Sequence, residues 1–460
     1  MQVQEEKRGK MKDNEQTLIL EGNVWKMMWT LSWPAIIAMV LYGMNVFIDG
    51  IFVGQFIGET ALAGITVVYP ITQILNGVGT LIGVGAGSYL SVLIGKKDFE
   101  KQERLLGSVN FLVIISCIIV TVLGMATLPF VLNFLGASGD EMMYGKDYIT
   151  TVLYGGVFWI AGLAYNMIVR AEGRMKKAAL MMGIGLIVNI VLNYIFVAVL
   201  DFGVVGIALG TNIGMLVYTL QFMIYAAKGK ASFKSNYLSF KSVSEDKKQI
   251  LGLGFPSLLM TIMYVIQMFV VMYSLKSYGN PSDVSFYGAV FRLFNLFLTP
   301  IYGLMRALQP AIGINFGAGN YSRVSKSFKI FALVAALIML PFWLIAMIKP
   351  ELMLNMTLPE RIFTGEDFEN FRFMLGICPI LPVIFMAMTY WPAVGRAKPA
   401  GILGMARQLF LYIPAMLILP KFFGITWVYK GSFVIDLVLV VIILLIVMKE
   451  LKELRTKEAV

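Results

Sequence analysis

Asp49 is the residue on which chemistry in this sequence can turn. It lies in Asn45-Val-Phe-Ile-Asp49-Gly-Ile-Phe-Val-Gly54, towards the far end of an apolar run over 25–53. An acid embedded in apolar surroundings costs several kcal/mol, so such groups usually have a task. A carboxylate there can take up a proton or a cation, and either one neutralises it. Polar side chains able to share that work lie further along. Asn189 and Asn193 are four residues apart in the fifth apolar run, hence on one helical face. Thr211 lies in the sixth run, and Tyr148 and Asn166 lie in the fourth. Carboxylate, amide and hydroxyl oxygens form the ligand set of a hard cation, with Asp49 as the candidate Na+ ligand. They equally form a proton-sensitive network. Asn and Thr also join helices inside membranes without any further role, so each amide alone is open to that reading.

A second group of charges lies in the other half of the chain. Asp436 sits midway along the last apolar run, and Arg292 and Arg306 lie within the eighth. Pairing Asp436 with a cation such as Arg292 lowers the cost of both charges. A structural ion pair is therefore the first reading of this C-terminal network, and a proton or substrate role the second.

Other chemistries are excluded. There is no histidine, and the two cysteines, Cys117 and Cys378, sit inside apolar runs, which argues against a disulfide framework or a zinc site. Gly79, Gly83 and Gly87 are spaced for close helix packing; no Gly-Lys-Ser/Thr follows them, so they are not a nucleotide loop. No nucleophile and base fall into a catalytic pattern, so an enzyme is not expected.

The elements that must position these residues are helices in a bilayer. The 460 residues are 58% hydrophobic and 14% charged, with a mean hydropathy of +0.78. A soluble chain carries roughly a quarter charged residues. Crossing a hydrocarbon core takes ~20 apolar residues, and twelve such runs follow one another. Stretches such as 111–132 and 434–448 are apolar on every face, which suits helices and not a barrel. The runs fall into two sets of six. The expected organisation is a tail over 1–23, an N-lobe over 24–227, a linker over 228–249, a C-lobe over 250–448 and a tail over 449–460.

The net charge of +11 follows the same layout. Lys96, Lys97, Lys101 and Arg104, then Arg170, Arg174, Lys176 and Lys177, then Arg396, Lys398 and Arg407 all fall on one side when the N-terminus is cytosolic. Acidic pairs and triplets, Asp140/Glu141 and Glu366/Asp367/Glu369, fall on the other. The positive-inside rule then puts both termini in the cytosol, and nucleic acid is not the partner these charges serve. Pro34 and Pro256, Gly95 and Gly317, and Arg174 and Arg396 share one offset of 222 residues. Two six-helix halves in parallel orientation are an architecture of transporters, with the path between the halves. Pro70, Pro300 and Pro310 bend helices, either as static kinks or as points where the helices flex. Thirty methionines and a 13% aromatic share suit a cavity that accepts varied shapes.

Over about 25–450 the chain resembles the MATE (multidrug and toxic compound extrusion) transporters. The matching stretches are Asp49-Gly-Ile-Phe-Val-Gly with Ala61-Leu-Ala-Gly64, Arg170-Ala-Glu-Gly-Arg174 leading to Asn189-Ile-Val-Leu-Asn193, and Leu308-Gln-Pro-Ala-Ile-Gly-Ile-Asn-Phe-Gly-Ala-Gly-Asn320. The resemblance implies an all-α membrane protein of twelve helices in two V-shaped lobes. It implies alternating access and export of amphiphilic, often cationic, compounds in exchange for H+ or Na+, with no other cofactor. Asp49 matches the first-helix acid of the branch whose coupling site lies in the N-lobe. Asn189, Thr211, Tyr148 and Asn166 fall where that branch places polar partners. Asn193 departs from the many relatives that carry a second aspartate there. Tyr264, Val265 and Gln267 occupy the region where another branch carries a seventh-helix acid. A monomer in the cell membrane is expected. The alternative within the same superfamily is a lipid-linked saccharide flippase, for which Arg292 and Arg306 are the only candidate phosphate partners.

Overall fold

The computed structural model describes residues 15–134, 139–228, 231, 239–359 and 361–458. Residues 1–14 of the expected tail, 229–230 and 232–238 of the linker and 459–460 lie outside the described residues. Long apolar stretches become helices because nothing but the chain itself can satisfy backbone polar groups in lipid. In the first half these are α1 (Val24–Phe52), α2 (Glu59–Lys96), α3 (Phe99–Phe134), α4 (Gly139–Tyr154), α5 (Gly156–Ala171), α6 (Met175–Asn193) and α7 (Gly203–Ala227). The second half holds α8 (Ser244–Tyr278), α9 (Pro281–Gly317), α10 (Tyr321–Ile348), the short α11 (Pro350–Leu354), α12 (Gly365–Gly376), α13 (Pro382–Ala393), α14 (Ala397–Met405), α15 (Ile413–Phe423) and α16 (Trp427–Glu458).

Local signals set the ends. The Asn23 side chain accepts from the Trp25 and Lys26 amides at 2.9 and 3.3 Å and so starts α1. Asn280 with Asp283, and Thr364 with Asp367, form reciprocal capping boxes at α9 and α12. Three π-helical turns interrupt the regular ladder: Val53–Ile57 after α1, Tyr194–Val199 after α6 and Ala406–Tyr412 between α14 and α15. Such turns recur at functional sites because they re-aim side chains.

Among the described residues, ten helices are long and apolar enough to cross a membrane, and α4 with α5 forms an eleventh crossing bent by 58°. The twelfth expected crossing is also broken. A turn over 377–381 separates α12 from α13, and at 12 residues each neither is long enough to cross alone. The two breaks, at Gly155 and Ile377, again differ by 222 residues, and so do the left-handed residues that end repeat-related helices. Lys97 (φ 57°) matches Gly319 (φ 80°), and Gly173 (φ 85°) matches Gly395 (φ 77°). The last helix continues beyond the expected boundary at 448 to Glu458.

The lobes meet through paired contacts. Helix α2 of the N-lobe lies against α8, and α9 of the C-lobe lies against α1, the same contact repeated at the 222-residue offset. Glycine permits the close approach. A Cβ at Gly85 would lie 1.9 Å from the Ile250 carbonyl oxygen, and one at Gly254 would lie 1.8 Å from that of Leu81. The repeat mates Gly95 and Gly317 face each other, with a Cβ on Gly95 2.1 Å from Ile314 O and one on Gly317 2.2 Å from Val92 O. These contacts cluster toward the end of the molecule that carries the basic loops. There Lys101 and Arg104 reach Glu245 at 3.1 Å, and Arg104 reaches the buried Asp246 at 3.0 Å.

Candidate functional site

Asp49 lies one turn before the π turn that ends α1, and its carbonyl accepts from the Val53 amide. Three amides converge on its carboxylate. Asn193, the last residue of α6, donates from Nδ2 to Oδ1 at 2.7 Å. Asn45, one turn earlier on α1, donates to Oδ2 at 3.3 Å. The hydrogen-bond network orients the third. With its nitrogen toward α1, Asn189 donates to Asn45 Oδ1 at 2.9 Å and Asp49 Oδ1 at 3.3 Å, while its oxygen accepts from Thr211 Oγ1 at 3.1 Å. Turned round, its oxygen would face the oxygens of Asn45 and Asp49. Each hydrogen bond to a charged group contributes about 1.5–3 kcal/mol, so this shell offsets much of the cost of an ionised acid at that depth.

Close backbone packing makes room for the shell. Asn189 and Asn193 are almost fully buried, at 3% and 0% exposure. Asn193 Oδ1 has no hydrogen-bond partner among the described residues and points at α7, where a Cβ on Gly210 would stand 2.1 Å from it. Any side chain there would expel the amide. Beyond the carboxylate, Val53 and Val197 from the two π turns join Ala61, Val204 and Ile207 in a small apolar cluster of their own. Phe52, Ile57, Ile65, Tyr144 and Tyr148 pack against it. The acid thus sits under an apolar cap. Tyr148 contributes its ring to this cap and makes no hydrogen bond to Asp49 among those described.

Asn166 does not join the cluster. It lies on α5, beyond the 58° bend, and ~16 Å of helical rise separates it from the break at Gly155. There it donates to Ala178 O at 2.9 Å and accepts from Arg170 Nε at 2.6 Å. In the C-lobe the sequence leaves the partner of Asp436 open. Asp436 on α16 forms a two-pronged ion pair with Arg407, at 2.7 and 3.0 Å, and not with Arg292. Arg292 is exposed, and Arg306 faces the other lobe, with Nη1 3.5 Å from Met167 Sδ.

Three participants escaped the sequence reading. Asn45 shares a helical face with Asp49 at a spacing of four, a signal present but unused. Arg407 and Arg170 were counted among the loop charges; Arg407 lies in the π turn inside a crossing, and Arg170 is 4% exposed in the last turn of α5.

Comparison with known proteins identifies the family and the fold. The MatE family model matches residues 34–195 and 256–418, one match in each lobe at the 222-residue offset. Curated relatives include "Multidrug export protein MepA" of Staphylococcus haemolyticus, 26% identical over 91% of this chain and 92% of that one. The protein of the same name from Staphylococcus saprophyticus is 25% identical over 95% and 96%. Among solved structures, MATE in the bent conformation superposes with a TM-score of 0.90, at 23% identity, over 97% of this chain and 99% of that one. A multidrug resistance MATE family transporter of the MOP superfamily, in an outward-facing conformation, gives 0.87 at 23% identity over 95% and 98%. A twice-repeated six-helix lobe, matched by the family model in both copies, makes this chain a member of the MatE family of multi-pass membrane transporters.

Proposed function

We propose that the chain exports amphiphilic small molecules, cationic ones among them, in exchange for a coupling ion bound and released at Asp49. The observation that carries this is the Asp49 carboxylate held by amides of two helices under an apolar cap. A change of charge at that acid alters what α1 and α6 must satisfy, and so biases the helices against each other. The names of the staphylococcal relatives, multidrug export proteins, support the cargo class.

The donor set favours H+ over Na+. All three amides present nitrogen to the carboxylate. A proton displaces one N–H contact. A sodium ion needs oxygens, so at least two amides would have to turn round, and Asn193 could do so only within the snug contact at Gly210. The basic end, where the lobes touch, is the cytosolic end on the positive-inside rule, with both termini there. The lobes would then be closed inward, the arrangement from which cargo leaves outward. A monomer in the cell membrane completes the reading. Its test is transport in proteoliposomes with a pH gradient or a sodium gradient imposed separately across a panel of amphiphiles. Flux driven by the pH gradient is expected, and flux indifferent to both gradients overturns it.

A further inference from the structure

We infer that Arg170 and Arg306 form a subsite for an acidic group, a carboxylate or a phosphate, on an amphiphile held between the lobes. The inference rests on the export reading and names a substrate class within it.

The two cations come from opposite lobes. Arg170 closes α5 of the N-lobe and is 4% exposed. Its Nε is spent on Asn166 Oδ1 at 2.6 Å, its Nη2 meets the Met182 sulfur at 3.6 Å, and Tyr218 is a further neutral hydrogen-bond partner. Arg306 lies on α9 of the C-lobe between Pro300 and Pro310, half-buried, with Nη1 on the sulfur of Met167 at 3.5 Å. Met167 stands one turn before Arg170 on the same helix. The guanidinium groups are within electrostatic reach of each other and of Tyr218, and Arg306 also of Tyr42.

No carboxylate balances them. Among the described residues, none lies within ion-pair distance of Arg170 or Arg306, whereas Arg174 has Glu172 and Glu15, and Arg407 has Asp436. A thioether is a weak acceptor, and each guanidinium carries five N–H donors. Two like charges within electrostatic reach in a low-dielectric interior are costly unless a counter-charge joins them. An oxyanion fits that deficit, because planar guanidinium forks match carboxylate and phosphate oxygens two at a time. An anion shared by both arginines ties one lobe to the other, so its arrival changes the inter-lobe balance as well as filling a site.

The test uses the full chain in phosphatidylcholine nanodiscs and two probes, a dansyl-tagged undecanoic acid and its methyl ester. The acid is expected to bind about tenfold tighter than the ester or better, the worth of a charge-assisted contact. Arg306→Gln is expected to reduce that preference below about twofold, and Arg306→Lys to retain part of it. Competition arms identify the natural source of the anion. Loss of acid binding when phosphatidylglycerol is added, but not with inorganic phosphate, assigns the site to a lipid headgroup; the converse assigns it to a soluble acid. Equal affinities for acid and ester, or an acid preference that survives in Arg306→Gln, would overturn the inference. Ester flux under an imposed gradient is measured in parallel. Ester export without acid preference sinks the subsite alone, and no gradient-driven flux of either probe sinks the export reading.

Discussion

Asn193 Nδ2 and Asp49 Oδ1 stand 2.7 Å apart, and this bond joins the end of α6 to the end of α1 at the point where both helices loosen into π turns. The acid therefore controls two elements at once. Removing or adding charge at Asp49 changes the hydrogen-bond demand on Asn193, Asn189 and Asn45 together, and those residues belong to the helices that bound the site.

Asp49→Asn is expected to abolish export. An amide takes up neither a proton nor a cation at physiological pH, and its own NH2 would oppose the donors of Asn45 and Asn193. The variant should reach the membrane at wild-type abundance and leave an efflux-deficient host as drug-sensitive as one carrying no transporter. Undiminished resistance would remove Asp49 from the coupling role.

Asn193→Asp is expected to make export respond to sodium. It sets a second carboxylate at hydrogen-bonding distance from the first, in a shell that also holds the Asn189 amide and the Thr211 hydroxyl. Two adjacent carboxylates do not readily share one site as a pair of anions, and a hard cation with oxygen ligands resolves the conflict. Flux in proteoliposomes driven by sodium alone, absent in the parent, is the positive result. A variant with no sodium response would show that the neighbouring oxygens do not close around an ion.

Much of this was legible beforehand because membranes impose strong rules. Charge placement gave the layout of the loops, and a single offset tied Pro34 to Pro256 and Gly95 to Gly317. The i, i+4 spacing of Asn189 and Asn193 put both on the face that meets Asp49. What was hidden depends on bends and irregular turns. The break at Gly155 carries Asn166 away from the acid, and a sequence does not show a 58° turn between two apolar stretches. The π turn at Ala406–Tyr412 carries Arg407 into the bundle beside Asp436, although a lone arginine following Arg396 and Lys398 reads as part of the same basic loop. Arg170 reads the same way and is buried for a similar reason, since α5 extends to Ala171.

Gly254→Leu is expected to separate the lobes at the basic end. Even a Cβ there would lie 1.8 Å from the backbone oxygen of Leu81, which no side-chain movement relieves. A single cysteine introduced at Leu81, 8% exposed, in a chain with Cys117→Ala and Cys378→Ala, reports the change. Membrane-impermeant maleimide supplied from the basic side should label it slowly in the parent background and rapidly with Gly254→Leu, with export lost. Equal labelling in both would mean that α2 and α8 are not the seal.

The Arg407–Asp436 pair allows stability to be separated from transport. Asp436 is 4% exposed, and both its oxygens are taken by Arg407, whose guanidinium also lies 5.9 Å from the Tyr412 ring centroid. Breaking a buried pair by removing one partner leaves an uncompensated charge and costs about 3–5 kcal/mol, whereas replacing both with apolar residues of similar volume is often neutral. Asp436→Leu and Arg407→Met should each lower the unfolding temperature of the purified protein well below that of the parent, and the double variant should recover most of the loss. If the double variant also exports drug at the parental rate, the pair is a strut of the C-lobe. Recovery of stability without recovery of export would instead place Asp436 in the transport cycle, as a second acid in a lobe whose repeat position for Asp49 is Val271.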